Sequence, residues 1–310
     1  MGPTASAAHA PPGGGVTGET VQHLTPAQVL ANWDELEQRY PAFIHDFVVR
    51  LTAADRPAYW RLMADPSRFT SKNPQLYLHL LNEANKQLAQ QEPAFLALAN
   101  KIDLDVARTF PQDSGFTDAH KRQLRNVLSA FAVLLPNIGY CQGMSFLAGK
   151  LLQVLQNEEE CLWVFCHFMK TMNLYGLYSD GLPLLRFAVF CVERTAGKEV
   201  PAVAAYLRDA DASMLLVVGQ WLSALFTISF PDEVTLKIWD VYLLEGFVWI
   251  VKVCVALLSL HRALFKGLID TAILNLRTAT ASLSWPVLFA AANTVIFSSR
   301  ELKALQEQFV

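Results

Sequence analysis

Residues 212–230 read ASMLLVVGQWLSALFTISF, nineteen positions without a charge, and their reading decides the fold. An uncharged run of that length is close to what a helix needs to cross a bilayer. Gln220, Ser213, Ser223, Thr227 and Ser229 dilute it, however, and Asp211, Pro231, Asp232 and Glu233 flank it. The next apolar run, GFVWIVKVCVALLSL (246–260), is broken by Lys252. Both runs therefore read as buried helices of a large helical domain, with no transmembrane segment expected.

The composition of the 310-residue chain agrees. Hydrophobic residues make up 53% and charged residues 17%, against a usual quarter or so for the latter. A chain with so few charges must hide its apolar residues in a thick core. The net charge of −3 carries no electrostatic footprint for nucleic acid. Five cysteines without a CxxC pair or a secretory signal point to reduced thiols in an intracellular compartment. Cys161, Cys166 and His167 lie together in CLWVFCHFM, where core packing is the reading because no second ligand pair has zinc spacing.

Helical periodicity runs from residue 26 onward. Thr25-Pro26 has the form of an N-cap followed by proline at the first helical position. Helices are expected over 26–39, 53–64, from 73 through the QLAQQ stretch, 117–135, 143–155, 158–171, 180–195, 199–209, 212–229, 232–245, 248–265, 267–281, 284–297 and 299–309. Several are apolar nearly all round, which means buried helices in layers. The expected fold is all-α: a single multi-helical domain of largely buried helices over residues 26–310. Residues 1–25, rich in Pro, Gly and Ala and free of Lys and Arg, are expected to be a disordered tail. They resemble neither a transit nor a signal peptide, and Pro3 spoils the myristoylation pattern that Gly2 and Ser6 would otherwise fit.

Familiar catalytic motifs fail on spacing. GMSFLAG (143–149) puts Leu147 where a nucleophile elbow requires glycine, and Gly149-Lys150-Leu151 lacks the Ser or Thr of a phosphate-binding loop. Two short stretches remain. In IDLDVARTFP (102–111), Asp105 and Arg108 are three apart and meet on one helical face, near a helix end set by Pro111. In PNIGYCQGM (136–144), proline and two glycines bracket a tight turn carrying Tyr140 and Gln142. Alone, each reads as ordinary: a helix-end ion pair and a turn-stabilising amide. Together, a cation and a neutral amide on two inter-helix turns could both reach one highly charged phosphate.

In order and spacing these elements resemble the TBC domain, the catalytic module of GTPase-activating proteins for Rab-type small GTPases. Ile102, Asp105 and Arg108 match the pattern I-x-x-D-x-x-R, with Thr109-Phe110-Pro111 as its extension, and Gly139 through Met144 match G-Y-C-Q-G-M. Arg56 and Trp60 upstream, and Trp221, Pro231, Trp239, Asp240 and Gly246 downstream, complete the set over about residues 45–265. Departures occur at 51–55, at Val106-Ala107 and at Leu104, where a charged residue is common. The resemblance implies an activator with no substrate turnover of its own. It would supply Arg108 as an arginine finger and Gln142 as a glutamine finger, with Asp105 and Tyr140 as supports. The implied partner is a GTP-bound Rab that carries GTP and Mg²⁺ itself, so no cofactor is expected in this chain. The implied setting is vesicle traffic, from the cytoplasm and peripherally at endomembranes through the membrane-attached Rab. The alternative is a Rab-binding scaffold without significant catalytic activation.

Overall fold

The computed structural model describes residues 21–309. Most of the tail expected over 1–25 lies outside the described residues. Most of the expected helices appear, several with shorter bounds, and no strand occurs among the described residues. The fold is all-α.

The chain forms two compact units that divide between Arg50 and Leu51, whereas the sequence reading placed a single domain over 26–310. In the first unit, Thr25 caps helix α1 (Pro26–Ala31) in a reciprocal box with Gln28. The helix expected to run to residue 39 breaks at Asn32, whose side-chain amide donates to the Gln28 carbonyl at 2.8 Å. An asparagine that bonds its own backbone competes with the helical ladder. Helices α2 (Trp33–Arg39) and α3 (Pro41–Arg50) follow, the latter unanticipated, and α2 packs against both α1 and α3.

The second unit holds α4 (Arg56–Ala64), α5 (Ser67–Thr70), α6 (Leu76–Ala89), α7 (Pro93–Arg108), α8 (Asp118–Leu134), α9 (Met144–Leu155) and α10 (Glu158–Cys166). There follow α11 (Pro183–Glu199), α12 (Pro201–Asp209), α13 (Met214–Ser223), α14 (Asp232–Glu245), α15 (Phe247–Leu260), α16 (Ile269–Thr280), α17 (Trp285–Thr294) and α18 (Ser299–Gln308). Helix α9 packs between α8 and α10, while α15 packs against α11, α14 and α17. Both α9 and α15 are buried on nearly every side, as their apolar sequences require.

The uncharged run 212–230 is not one continuous helix. Helix α13 stops at Ser223 after ten residues, about 15 Å of rise. Leu225 and Phe226 then take left-handed backbone angles (φ 42° and 68°) and turn the chain back. Their carbonyls are satisfied from α14: Trp239 Nε1 donates to Leu225 O at 2.9 Å, and Thr235 Oγ1 to Phe226 O at 3.3 Å. No helix among the described residues is long and apolar enough to cross a membrane.

The frame is locked at Asp240. This carboxylate has no exposed surface and lies in α14, facing α4. Arg56 Nε reaches both its oxygens at 2.9 and 3.0 Å, and Arg56 Nη2 contacts Oδ2 at 2.9 Å. Trp60 Nε1 donates to Oδ1 at 2.8 Å and Tyr59 donates its hydroxyl to the Asp240 carbonyl at 3.0 Å. Burial pushes the Asp240 carboxyl upward, and the guanidinium fork of Arg56 offsets only part of that push. Trp60 and Trp239 pack with ring centroids 5.9 Å apart in the same layer. The pair is thus the joint between sequence elements 184 residues apart.

Cys161, Cys166 and His167 all lie in the core, as their apolar surroundings indicated. The Cys161 thiol donates to the Ala148 carbonyl at 3.4 Å. Helix α10 continues past Cys166 as a wider turn over His167–Thr171, closed by Met172 N donating to His167 O at 3.0 Å.

Two outcomes follow for stability. Arg56→Ala strands a buried carboxylate and is expected to cost about 3–5 kcal/mol in chemical denaturation, whereas the double variant Arg56→Met/Asp240→Leu recovers a large part of that loss. Burial lowers the His167 pKa from 6.5 to about 4 and lowers that of His261 as well. Between pH 6.5 and 4 the unfolded chain therefore takes up protons that the folded chain refuses, so stability falls as pH drops through that window. His167→Phe should flatten the slope, by on the order of 2 kcal/mol across the window, in denaturation midpoints measured at each pH.

Candidate functional site

Helix α7 begins with Pro93 at its first position and buries Phe95, Ala99, Ile102, Asp105 and Val106. Arg108 closes the helix, and Thr109 is already extended at φ −76°, ψ 121°. Phe110 follows at φ 48°. Pro111 predicted a helix stop here, because proline crowds the preceding residue out of helical geometry. The left-handed turn at Phe110 goes further than that expectation and is held by packing. Phe110 meets Phe116 and Phe146 edge-to-face, at centroid distances of 5.4 and 5.7 Å.

The Asp105–Arg108 contact is not the surface ion pair that the sequence alone favoured. Arg108 Nη2 lies 2.5 Å from Asp105 Oδ1; the arginine side chain is 51% exposed, the aspartate 7%. The other carboxylate oxygen, Oδ2, accepts the Tyr140 hydroxyl at 2.6 Å. One buried carboxylate therefore grips the helix end that carries Arg108 and the turn that carries Gln142. Burial, followed by the bond to Asp105, pushes the Tyr140 phenol far above its ordinary value, so it stays a donor. Thr109 Oγ1 adds a second tie, donating to the Asp105 carbonyl at 2.7 Å and lying 2.9 Å from the Ser145 hydroxyl at the start of α9.

The glutamine turn is shaped by its glycines. Gly139 sits at φ 61°, and a Cβ there would lie 3.6 Å from Leu98 of α7. Met144 N donates to Cys141 O at 3.2 Å, closing a tight turn over Gln142 and Gly143. Gly143 has φ 100° and ψ −23°, the conformation a type II turn demands at that position. Tyr178 packs behind it, 3.5 Å from where a Cβ would stand, and donates its hydroxyl to the Ser223 carbonyl at 3.1 Å. The end of α13, the fold-deciding stretch, thus backs the turn. Gln142 itself is exposed. A cleft of about 800 Å³, with Ile138, Cys141, Tyr175 and Tyr178 among its walls, opens beside it.

Two residues without a functional motif of their own complete the support. Gly149 and Lys150, a failed phosphate loop on paper, buttress the arginine's turn. A Cβ at Gly149 would stand 3.0 Å from Phe110 and 3.2 Å from Thr109, so a larger residue would press on both and make them give way by a few tenths of an ångström. Lys150 Nζ lies 4.4 Å from the Phe110 ring centroid. It is buried, pairs with Asp232 at 2.9 Å and donates to Gln153 Oε1 at 2.6 Å. The only sequence signal was a lysine inside an otherwise apolar helix.

Arg108, Asp105 and Tyr140 are therefore brought into one hydrogen-bonded group, with Gln142 two residues beyond Tyr140. Residues 54–266 match the family model described as the Rab-GTPase-TBC domain. The chain belongs to that family. Growth hormone-regulated TBC protein 6 of Caenorhabditis elegans is 28% identical over 212 residues, covering 66% of this chain and 64% of that protein. TBC1 domain family member 2A of Homo sapiens is 30% identical over 194 residues, 62% of this chain and 20% of its own length. The matches thus span less than two thirds of these relatives. The Chlamydomonas flagellar RabGAP TBC domain superposes with a TM-score of 0.71 at 18% identity, over 88% of this chain and 92% of that one. The Ypt/Rab-GAP domain of Gyp1p gives 0.71 at 14% identity, over 93% and 100%. At these identities the likeness is one of fold.

The TBC turn geometry has a measurable consequence. Gly143→Ala forces a Cβ into a left-handed conformation and is expected to lose about 1–2 kcal/mol in chemical denaturation. Gly197→Ala, at an exposed site inside α11 with nothing within 4 Å of the new Cβ, is expected to gain about 1 kcal/mol.

Proposed function

We propose that this TBC domain accelerates GTP hydrolysis by a Rab-family GTPase in its GTP-bound state, lending Arg108 and Gln142 in trans. The observation that carries the reading is the division of Asp105 between Arg108 and Tyr140. It holds both finger-bearing segments in one frame while leaving the arginine half exposed. As GTP is cleaved, charge spreads over the transferring phosphoryl group and the leaving oxygen, and a cation supplied by a partner stabilises it by about 10³–10⁵ in rate. Arginine suits the task because its planar fork stays charged and matches phosphate oxygens. Gln142 offers one acceptor and two donors, so it can hold the attacking water and a phosphate oxygen together without a change of protonation. Asp105 and Tyr140 act through these two, as positioning groups. Held by Asp105, the arginine loses little side-chain freedom on docking.

GTP and Mg²⁺ arrive with the GTPase. The domain turns over no substrate of its own, and it works in membrane traffic wherever its lipid-anchored Rab resides. Single-turnover GTP hydrolysis by a panel of Rabs tests this. One or more Rabs should be accelerated, and Arg108→Ala should remove about 10³-fold of that acceleration or more. Gln142→Ala should remove a large further part, and Tyr140→Phe a smaller one. If wild-type domain binds a Rab but accelerates none, the domain is a binding scaffold and the catalytic reading fails.

A further inference from the structure

Helix α7 leaves a stripe of four side chains uncovered, Ala97, Lys101, Leu104 and Arg108, all exposed. Three- and four-residue steps place them on one face. Leu104 is the large apolar member, 71% exposed, one helical turn before Arg108. At 100° per residue, Leu104 lies about 40° to one side of Arg108 and Asp105 about 60° to the other. The carboxylate thus holds the arginine from the buried side, and the leucine borders it on the open side.

Resting on the function proposed above, we infer that Leu104 is an affinity and specificity determinant: the GTPase covers it with an apolar patch beside its nucleotide pocket. A GTPase cannot bring its phosphates to Arg108 without laying protein surface on this stripe. A standard interface covers about 800 Å² on each partner, a disc of roughly 16 Å radius. Residues four apart on a helix are only about 6 Å apart, so Leu104 falls well inside a disc centred on the arginine. There an apolar side chain loses water on docking and favours partners that meet it with aliphatic or aromatic groups. Partners presenting charge at that place must leave the charge desolvated and unpaired. Arg108 and Gln142 offer no comparable discrimination, because the phosphates they meet are common to every GTP-bound partner.

The test is single-turnover hydrolysis by a Rab that the wild-type domain accelerates, followed over a range of domain concentrations. Leu104→Ser removes the apolar surface without adding charge, and Leu104→Met keeps it. The serine variant is expected to raise the half-saturating concentration about tenfold while the plateau rate stays within about twofold. The methionine variant should behave as wild type, and all three proteins should share one thermal midpoint, because Leu104 is on the surface. An unchanged half-saturating concentration in the serine variant overturns the inference and leaves the proposed function standing. A lowered plateau with unchanged half-saturation also overturns it, since Leu104 would then act on Arg108 and not on the partner. If the wild-type domain accelerates no Rab, the proposed function fails and the inference falls with it.

Discussion

A carboxylate with no solvent exposure must be paired, or it takes up a proton or costs several kcal/mol of stability. Asp240 meets that demand with Arg56 and Trp60, and Tyr59 of the same helix, near the start of the second unit, holds its backbone carbonyl. The consequence is positional. Helix α4 can sit against α14 in one register, because shifting either helix would leave a buried charge without its fork of donors. The tryptophans on both sides fill the layer around that joint, and α9 and α10 pack against the same α4. A core made of Leu, Val and Ile tolerates small slips; a core built around this pair does not.

The same logic recurs at smaller scale in the site. Asp105 is buried and shared, and its two oxygens tie the end of α7 to the turn before α9. What differs is the solvent boundary. Asp240 has both partners inside, whereas Asp105 holds one partner that is half exposed to water. A pair wholly inside fixes structure; a pair half outside presents a pre-positioned cation. Lys150 and Gly149 extend the fixed part, one by sitting against the Phe110 ring, the other by having no side chain to obstruct it.

Much of this was legible in the chain. The helix pattern was readable because buried helices, capped by Thr25 and Thr117 and stopped by Pro111 and Pro136, carry strong local signals. The break at Asn32 and the reversal at Leu225-Phe226 were not, since the first depends on competition between side chain and backbone and the second on partners in another helix. Arg108 and Gln142 were recognisable only as members of an ordered set of motifs. On local grounds Asp105 looked like a surface acid, because i,i+3 spacing says which residues meet and nothing about what covers them.

By itself, then, the sequence determined an all-helical chain, the two turns that matter and the residue types placed on them. It did so through periodicity, proline and glycine, which act within a few residues. Only the tertiary structure decided that 212–230 turns back after ten helical residues, that Asp105 divides itself between Arg108 and Tyr140, and that Lys150 serves the arginine's turn. Those outcomes are set by burial, which is a property of the assembled layers: the energy of an unpaired charge or carbonyl depends on how much water the rest of the fold has removed from around it.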